Sequence, residues 1–111
     1  MASVVSGYQV SENIAKFYSK LDEFRILDKY TDYTVVCEQT SFRCHRVALA
    51  SASPYFDIMF SIEMMEKNVG SVVLPEMSAV TFEEILRFVY TGTTAINADN
   101  IYSLIIACDF L

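Results

Sequence analysis

The chain has 111 residues, 53% of them hydrophobic and 14% aromatic, enough for one packed domain and too few for two. A formal net charge of −6 argues against nucleic-acid binding, because phosphate contact needs a basic surface. Cys37, Cys44 and Cys108 show no CxxC spacing and the single histidine, His45, completes no familiar zinc set, so the cysteines read as reduced thiols packed in an intracellular protein.

Residues 1–10 read as an N-terminal arm or an edge strand. They lack the basic start and apolar run of a signal peptide, and no segment reaches the roughly 18 apolar residues of a membrane span. A cytoplasmic or nuclear protein without membrane contact is expected. From Ser11, a plausible cap, Ile14, Phe17, Leu21, Phe24 and Leu27 recur at helical spacing with Tyr18 and Ile26 beside them. This apolar stripe suits either the chain's own core or a second chain, and periodicity alone favours the former.

Thr34–Glu38 and Ser41–Cys44 read as strands, joined by a hairpin through Gln39-Thr40. Residues 46–51 form a short helix that breaks at Ser53-Pro54. Ser is a preferred cap and Pro suits the first helical position, so a second helix follows over 54–61. Glu63 to Gly70 is a polar passage, and Ser71–Leu74 a strand ended by Pro75.

Residues 78–90 give the clearest helix, apolar at Val80, Phe82, Ile85, Leu86, Val89 and Tyr90, with Glu83, Glu84 and Arg87 exposed. Ser78 or Thr81 caps it, Thr81 with Glu84 in capping-box spacing, and Gly92 stops it. A short extended piece at Thr94–Ile96 leads to a last helix from about Asp99. That helix is apolar at Ile101, Leu104, Ile105, Cys108 and Leu111 with no cap, so a C-terminally truncated domain is expected. No phosphate loop, repeat or nucleophile turn is present, and His45 reads as a structural hydrogen-bonding residue rather than a catalytic one.

Thr31-Asp32-Tyr33-Thr34-Val35, Phe42-Arg43-Cys44-His45-Arg46-Val47-Ala48-Leu49-Ala50, Ser53-Pro54-Tyr55-Phe56 and Phe88-Val89-Tyr90-Thr91-Gly92 resemble, in this order, the motifs of the BTB (POZ) domain. The resemblance spans roughly residues 20 to 111. It implies an α+β fold over 11–111, a small β-sheet flanked by a cluster of short α-helices, with the closing helices absent. Tyr33 stands where the family usually has Val or Ile, and Cys44 where it commonly has Ala.

The resemblance also implies a homodimer, and here it reverses the own-core preference. Ile14, Phe17, Tyr18 and Leu21 occupy positions of the dimer face. Asp32 and Arg46 match a charge pair near the dimer groove, expected to be close together and largely buried because a lone buried charge is costly. Met64-Met65-Glu66 stands in the polar passage where cullin-recruiting members carry a hydrophobic–any–Glu triplet. Met64 would fill a pocket of the type-three cullin and Glu66 would contact its rim, with Tyr55, Phe60 and the 101–111 helix shaping the surface. The implied function is a non-catalytic, cofactor-free substrate adaptor of a cullin-RING ubiquitin ligase in the kelch-like branch, its substrate held by domains outside this segment. The alternative is the oligomerising, corepressor-binding domain of a BTB zinc-finger transcription factor.

Overall fold

Alternation of β-branched and aromatic residues from Tyr33 to Cys37 builds the central strand, and the rest of the domain is arranged on it. A computed structural model describes residues 7–66, 70–93, 97 and 101–111. The order is α1 (Gly7–Ile26), β1 (Tyr33–Cys37), β2 (Thr40–Cys44), α2 (Arg46–Ala52), α3 (Pro54–Glu66), β3 (Ser71–Val73), α4 (Ala79–Thr91) and α5 (Ile101–Phe110). The architecture is the expected α+β type. Residues 94–96, anticipated as extended, lie outside the described residues.

The three-stranded sheet has the order β2-β1-β3. β1 pairs antiparallel with β2, Tyr33 opposite Cys44 and Cys37 opposite Thr40, and parallel with β3, Val35 opposite Val72. A parallel neighbour requires a crossover, and α2 and α3 supply it. The hairpin turns at Glu38-Gln39, one residue earlier than the sequence suggested. Both residues hold positive φ, 51° and 73°, as the twist-compatible two-residue turn demands. Tyr33, Val35 and Cys37 point inward and are fully buried, the two-residue period of a strand with one face packed.

α4 supplies the other half of the core through Phe82, Leu86 and Tyr90, all fully buried. Phe42 meets Phe82 edge-on at 5.3 Å, and Phe56 stacks on Phe60 at 5.6 Å. Ser78 is the cap of α4, its Oγ accepting the Thr81 N–H at 3.1 Å. Gly92 ends the helix at φ 80° and donates its N–H to the Phe88 carbonyl. Ser53 caps α3 by accepting the Phe56 N–H at 3.2 Å, with Pro54 in the first turn.

Two expectations are corrected. α1 begins at Gly7, so 7–10 are helical rather than arm or strand, and Ser11 lies inside the helix instead of capping it. α3 runs on to Glu66, placing Met64-Met65-Glu66 in a last helical turn rather than in a loop. Met and Glu are strong helix formers and no Gly or Pro intervenes before Gly70, so polarity alone does not stop the helix. Among the described side chains of α5, Leu104 and Ala107 are buried, while Ile105 and Cys108 are exposed.

Candidate protein-interaction surfaces

α1 uses its apolar stripe twice. Its C-terminal half docks on α4: Leu21 packs against the core, and the Arg25 guanidinium lies over the Tyr90 ring at 5.1 Å while bonding Asp22 at 2.7 Å. Before Leu21 the stripe is open to solvent: Ile14, Phe17 and Tyr18 are 51%, 64% and 38% exposed. Phe17 and Tyr18 touch only edge-on, at 6.1 Å, and with Ile14 and Asn13 they line a shallow open depression. The own-core reading therefore holds for one turn of the stripe. Leu21 serves this chain's own core, and residues 14–18 form an apolar face without cover among the described residues.

Asp32 and Arg46 come together as expected, but not in the interior. Asp32 Oδ1 accepts the backbone N–H of Arg46 at 2.7 Å, and Arg46 Nη1 donates to the Asp32 carbonyl at 2.8 Å. The side chains are 53% and 31% exposed, and the charged ends are 3.9 Å apart. The expectation of a largely buried pair is corrected. The carboxylate instead caps the first turn of α2, whose N-cap residue His45 makes no side-chain cap bond. Water shares the charges, so the pair is weaker than a buried one.

Arg46 reaches inward with the rest of its guanidinium. It lies over the rings of Tyr33 at 4.8 Å and Phe60 at 5.7 Å, and its Nη2 is 3.9 Å from Glu63 Oε1. Glu63 Oε2 accepts the Tyr33 hydroxyl at 2.8 Å. Burial, followed by that contact with the carboxylate, pushes the Tyr33 phenol well above its ordinary range. Glu63 was missed as a site residue. The signal was its place three residues after Phe60 and seven after Phe56, on the face of α3 that turns inward.

Tyr55 and Phe60, expected on the cullin surface, separate. Tyr55 is half-buried, its ring between Phe56 at 5.4 Å and Phe110 of α5 at 4.8 Å. Phe60 is 6% exposed and meets Tyr33 edge-on at 4.7 Å, so it shapes this side from beneath and presents no ring to a partner. Among the described residues, Ile58 and Ile62 on α3, and Ile105, Ile106 and Phe110 on α5, are the exposed large apolar residues of these helices. The side chains of Met64 and Glu66 lie outside the described residues.

His45 is held on every polar atom. Its backbone N–H donates to the Tyr90 hydroxyl at 2.9 Å, its Nδ1 lies 2.8 Å from the same oxygen, and its Nε2 lies 2.9 Å from the Lys29 carbonyl. A carbonyl only accepts, so these partners fit a ring that donates from Nε2 and accepts the Tyr90 O–H at Nδ1. Burial raises the Cys37 and Cys44 thiols to about 11 and about 12. Among the described residues, no group of three or more His, Cys, Asp and Glu side chains is placed to hold a metal ion.

A family model described as BTB/POZ domain matches residues 21–111. Kelch repeat and BTB domain-containing protein 3 of Mus musculus is 33% identical over 96 residues, 86% of this chain and 16% of that protein. Kelch-like protein 21 of Danio rerio is 37% identical over 89 residues, 80% of this chain and 14% of that protein. The chain therefore spans only a small fraction of the length of these relatives. Among solved structures, the BTB domain of zebrafish PATZ1 superposes with a TM-score of 0.83 at 27% identity, over 96% of this chain and 86% of that one. The BTB domain of human gigaxonin superposes with a TM-score of 0.80 at 24% identity, over 100% and 87%, which speaks for the fold alone. With a matched family model over most of its length, a small sheet carrying clustered helices, and apolar side chains left on its surface, the chain belongs to the BTB/POZ family of protein-interaction domains.

Proposed function

We propose that this domain homodimerises through α1 and serves as the non-catalytic adaptor that brings a cullin-RING ubiquitin ligase to a protein substrate. The observation that carries the reading is the run of Ile14, Phe17 and Tyr18, uncovered among the described residues, on a helix that packs on the core at Leu21. An isologous contact buries such a run twice, once on each copy, and removes it from water at no cost in new sequence. Asp32 and Arg46 would then lie beside that contact and lose part of their solvent. The kelch-named relatives favour the adaptor over the corepressor-binding reading.

Cullin binding is assigned to Met64 and Glu66 in the last turn of α3, with Tyr55 and α5 completing the surface. Substrate capture belongs to parts of the protein beyond this domain, and the site of action is cytoplasmic. The test is cullin binding by the full-length protein and its Met64→Ala/Glu66→Ala variant, with melting curves for both. Truncating a pocket-filling anchor costs about 2 kcal/mol or more, so the folded variant should bind at least roughly 30-fold more weakly. Equal binding by the two refutes the site. A folded parent that binds no cullin refutes the adaptor reading and favours a corepressor-type partner.

A further inference from the structure

We infer that Tyr33 and Glu63 are positioning residues for the last turn of α3, fixing where Met64 and Glu66 stand relative to the sheet; the inference rests on the cullin reading of that turn. After Phe60 the helix offers no buried apolar side chain among its described residues, since Ser61 and Ile62 are both exposed. The group turned inward is Glu63, whose side chain is only 13% exposed. Among the described side chains, this end of the helix is tied inward by a polar group.

The tether is anchored in the buried core of the domain. Tyr33 opens β1, is fully buried and sits in register opposite Cys44. Its hydroxyl donates to Glu63 Oε2 at 2.8 Å, and a charge-assisted hydrogen bond in a dry setting is directional as well as strong. The other oxygen, Oε1, is buried and receives no hydrogen bond in the structure. It faces Arg46 Nη2 at 3.9 Å, an ion-pair separation rather than a bond. A buried carboxylate in this state adds little stability, and an apolar residue would pack there more favourably. What it supplies is geometry. Through Arg46, stacked over Tyr33 and bonded to Asp32, the same cluster joins the N-terminus of α2 to the end of α3. The proposed dimer-side charges and the proposed cullin motif thus share one support, joined through Arg46 by ring stacking and an ion pair.

The test uses full-length Tyr33→Phe, Glu63→Ala and Glu63→Gln, read in two ways. Amide hydrogen exchange over residues 62–66 should quicken about tenfold in Tyr33→Phe and Glu63→Ala, as expected for losing one such bond (about 1.4 kcal/mol). Glu63→Gln keeps an acceptor for the hydroxyl and should restore the parental rates. Amides of α4 should not change. Unaltered exchange at 62–66, no rescue by Gln, or an equal quickening throughout α4 would each overturn the inference. The second reading is cullin affinity: Tyr33→Phe should weaken binding about tenfold in the parent and have no further effect in a Met64→Ala background. An effect that persists undiminished there means that Tyr33 acts through general stability, which also overturns it. A parent that binds no cullin defeats the function proposed above, while the exchange rates still decide whether Tyr33 and Glu63 hold the turn.

Discussion

Tyr90→Phe removes one oxygen atom from the centre of the domain and leaves the ring in place, so no cavity opens around this fully buried side chain. That oxygen accepts the His45 backbone N–H at 2.9 Å and is bonded to His45 Nδ1 at 2.8 Å. His45 is 6% exposed, and burial also raises the Tyr90 phenol above its ordinary range, so water cannot readily replace the lost partner. Two buried polar groups are stranded by one substitution, each costing about 1–3 kcal/mol. Allowing for small shifts of the imidazole, the expected loss is about 3 kcal/mol. At about 4–8 °C per kcal/mol for a small domain, the melting temperature should fall by roughly 12–24 °C. Urea unfolding measures this directly, with a lower midpoint and an unchanged slope. A loss under about 0.5 kcal/mol at equal slope would show that neither group is stranded and would refute this accounting.

Asp32→Ala should cost about 1 kcal/mol, the worth of an exposed helix cap, rather than the roughly 3–5 kcal/mol of a broken buried pair; the urea midpoint decides between them. Gln39→Gly should stabilise by about 0.5 kcal/mol by relieving a side chain held at φ 73°, whereas Glu38 must stay because its Oε1 accepts the Ala79 N–H at 2.9 Å. Thiols react as thiolates, so at pH 8 a disulfide reagent should label exposed Cys108 rapidly and Cys37 and Cys44 only on unfolding; equal rates would contradict their burial. Because those two thiols are raised to about 11 and about 12 from 9.0, their contribution to stability is complete below about pH 9 and is lost as pH climbs towards 12, and a Cys37→Ala/Cys44→Ala variant should lose that part of the alkaline slope.

Much of the fold was legible because local chemistry and tertiary demand agree. The Ser53-Pro54 break, the Ser78 cap and Gly92 each satisfy backbone groups that no packing needs to supply. The errors fall where local signals are silent. Polarity from Glu63 onward suggested a loop, although Met and Glu extend a helix and Glu63 turns inward to a strand residue thirty positions earlier. No sequence period announces such a long-range pair. Asp32 and Arg46 were recognisable as partners, but their burial was not. It depends on how much of the α2 start stays open to water, and in this chain the answer is most of Asp32. The stripe on α1 could not be divided by periodicity, because Leu21 and Phe17 share one helical face and only the length of the docking contact separates them.

Light scattering coupled to size-exclusion chromatography tests the central claim, that α1 is an interface between two copies. The full-length protein should elute at twice its chain mass across a dilution series. Phe17→Asp puts a charge on a residue that is 64% exposed in the single copy and makes no core contact, so it should leave the fold intact and shift the mass to that of one chain. A parent that runs as a folded monomer at every concentration, or a folded Phe17→Asp variant that remains a dimer, would contradict the account.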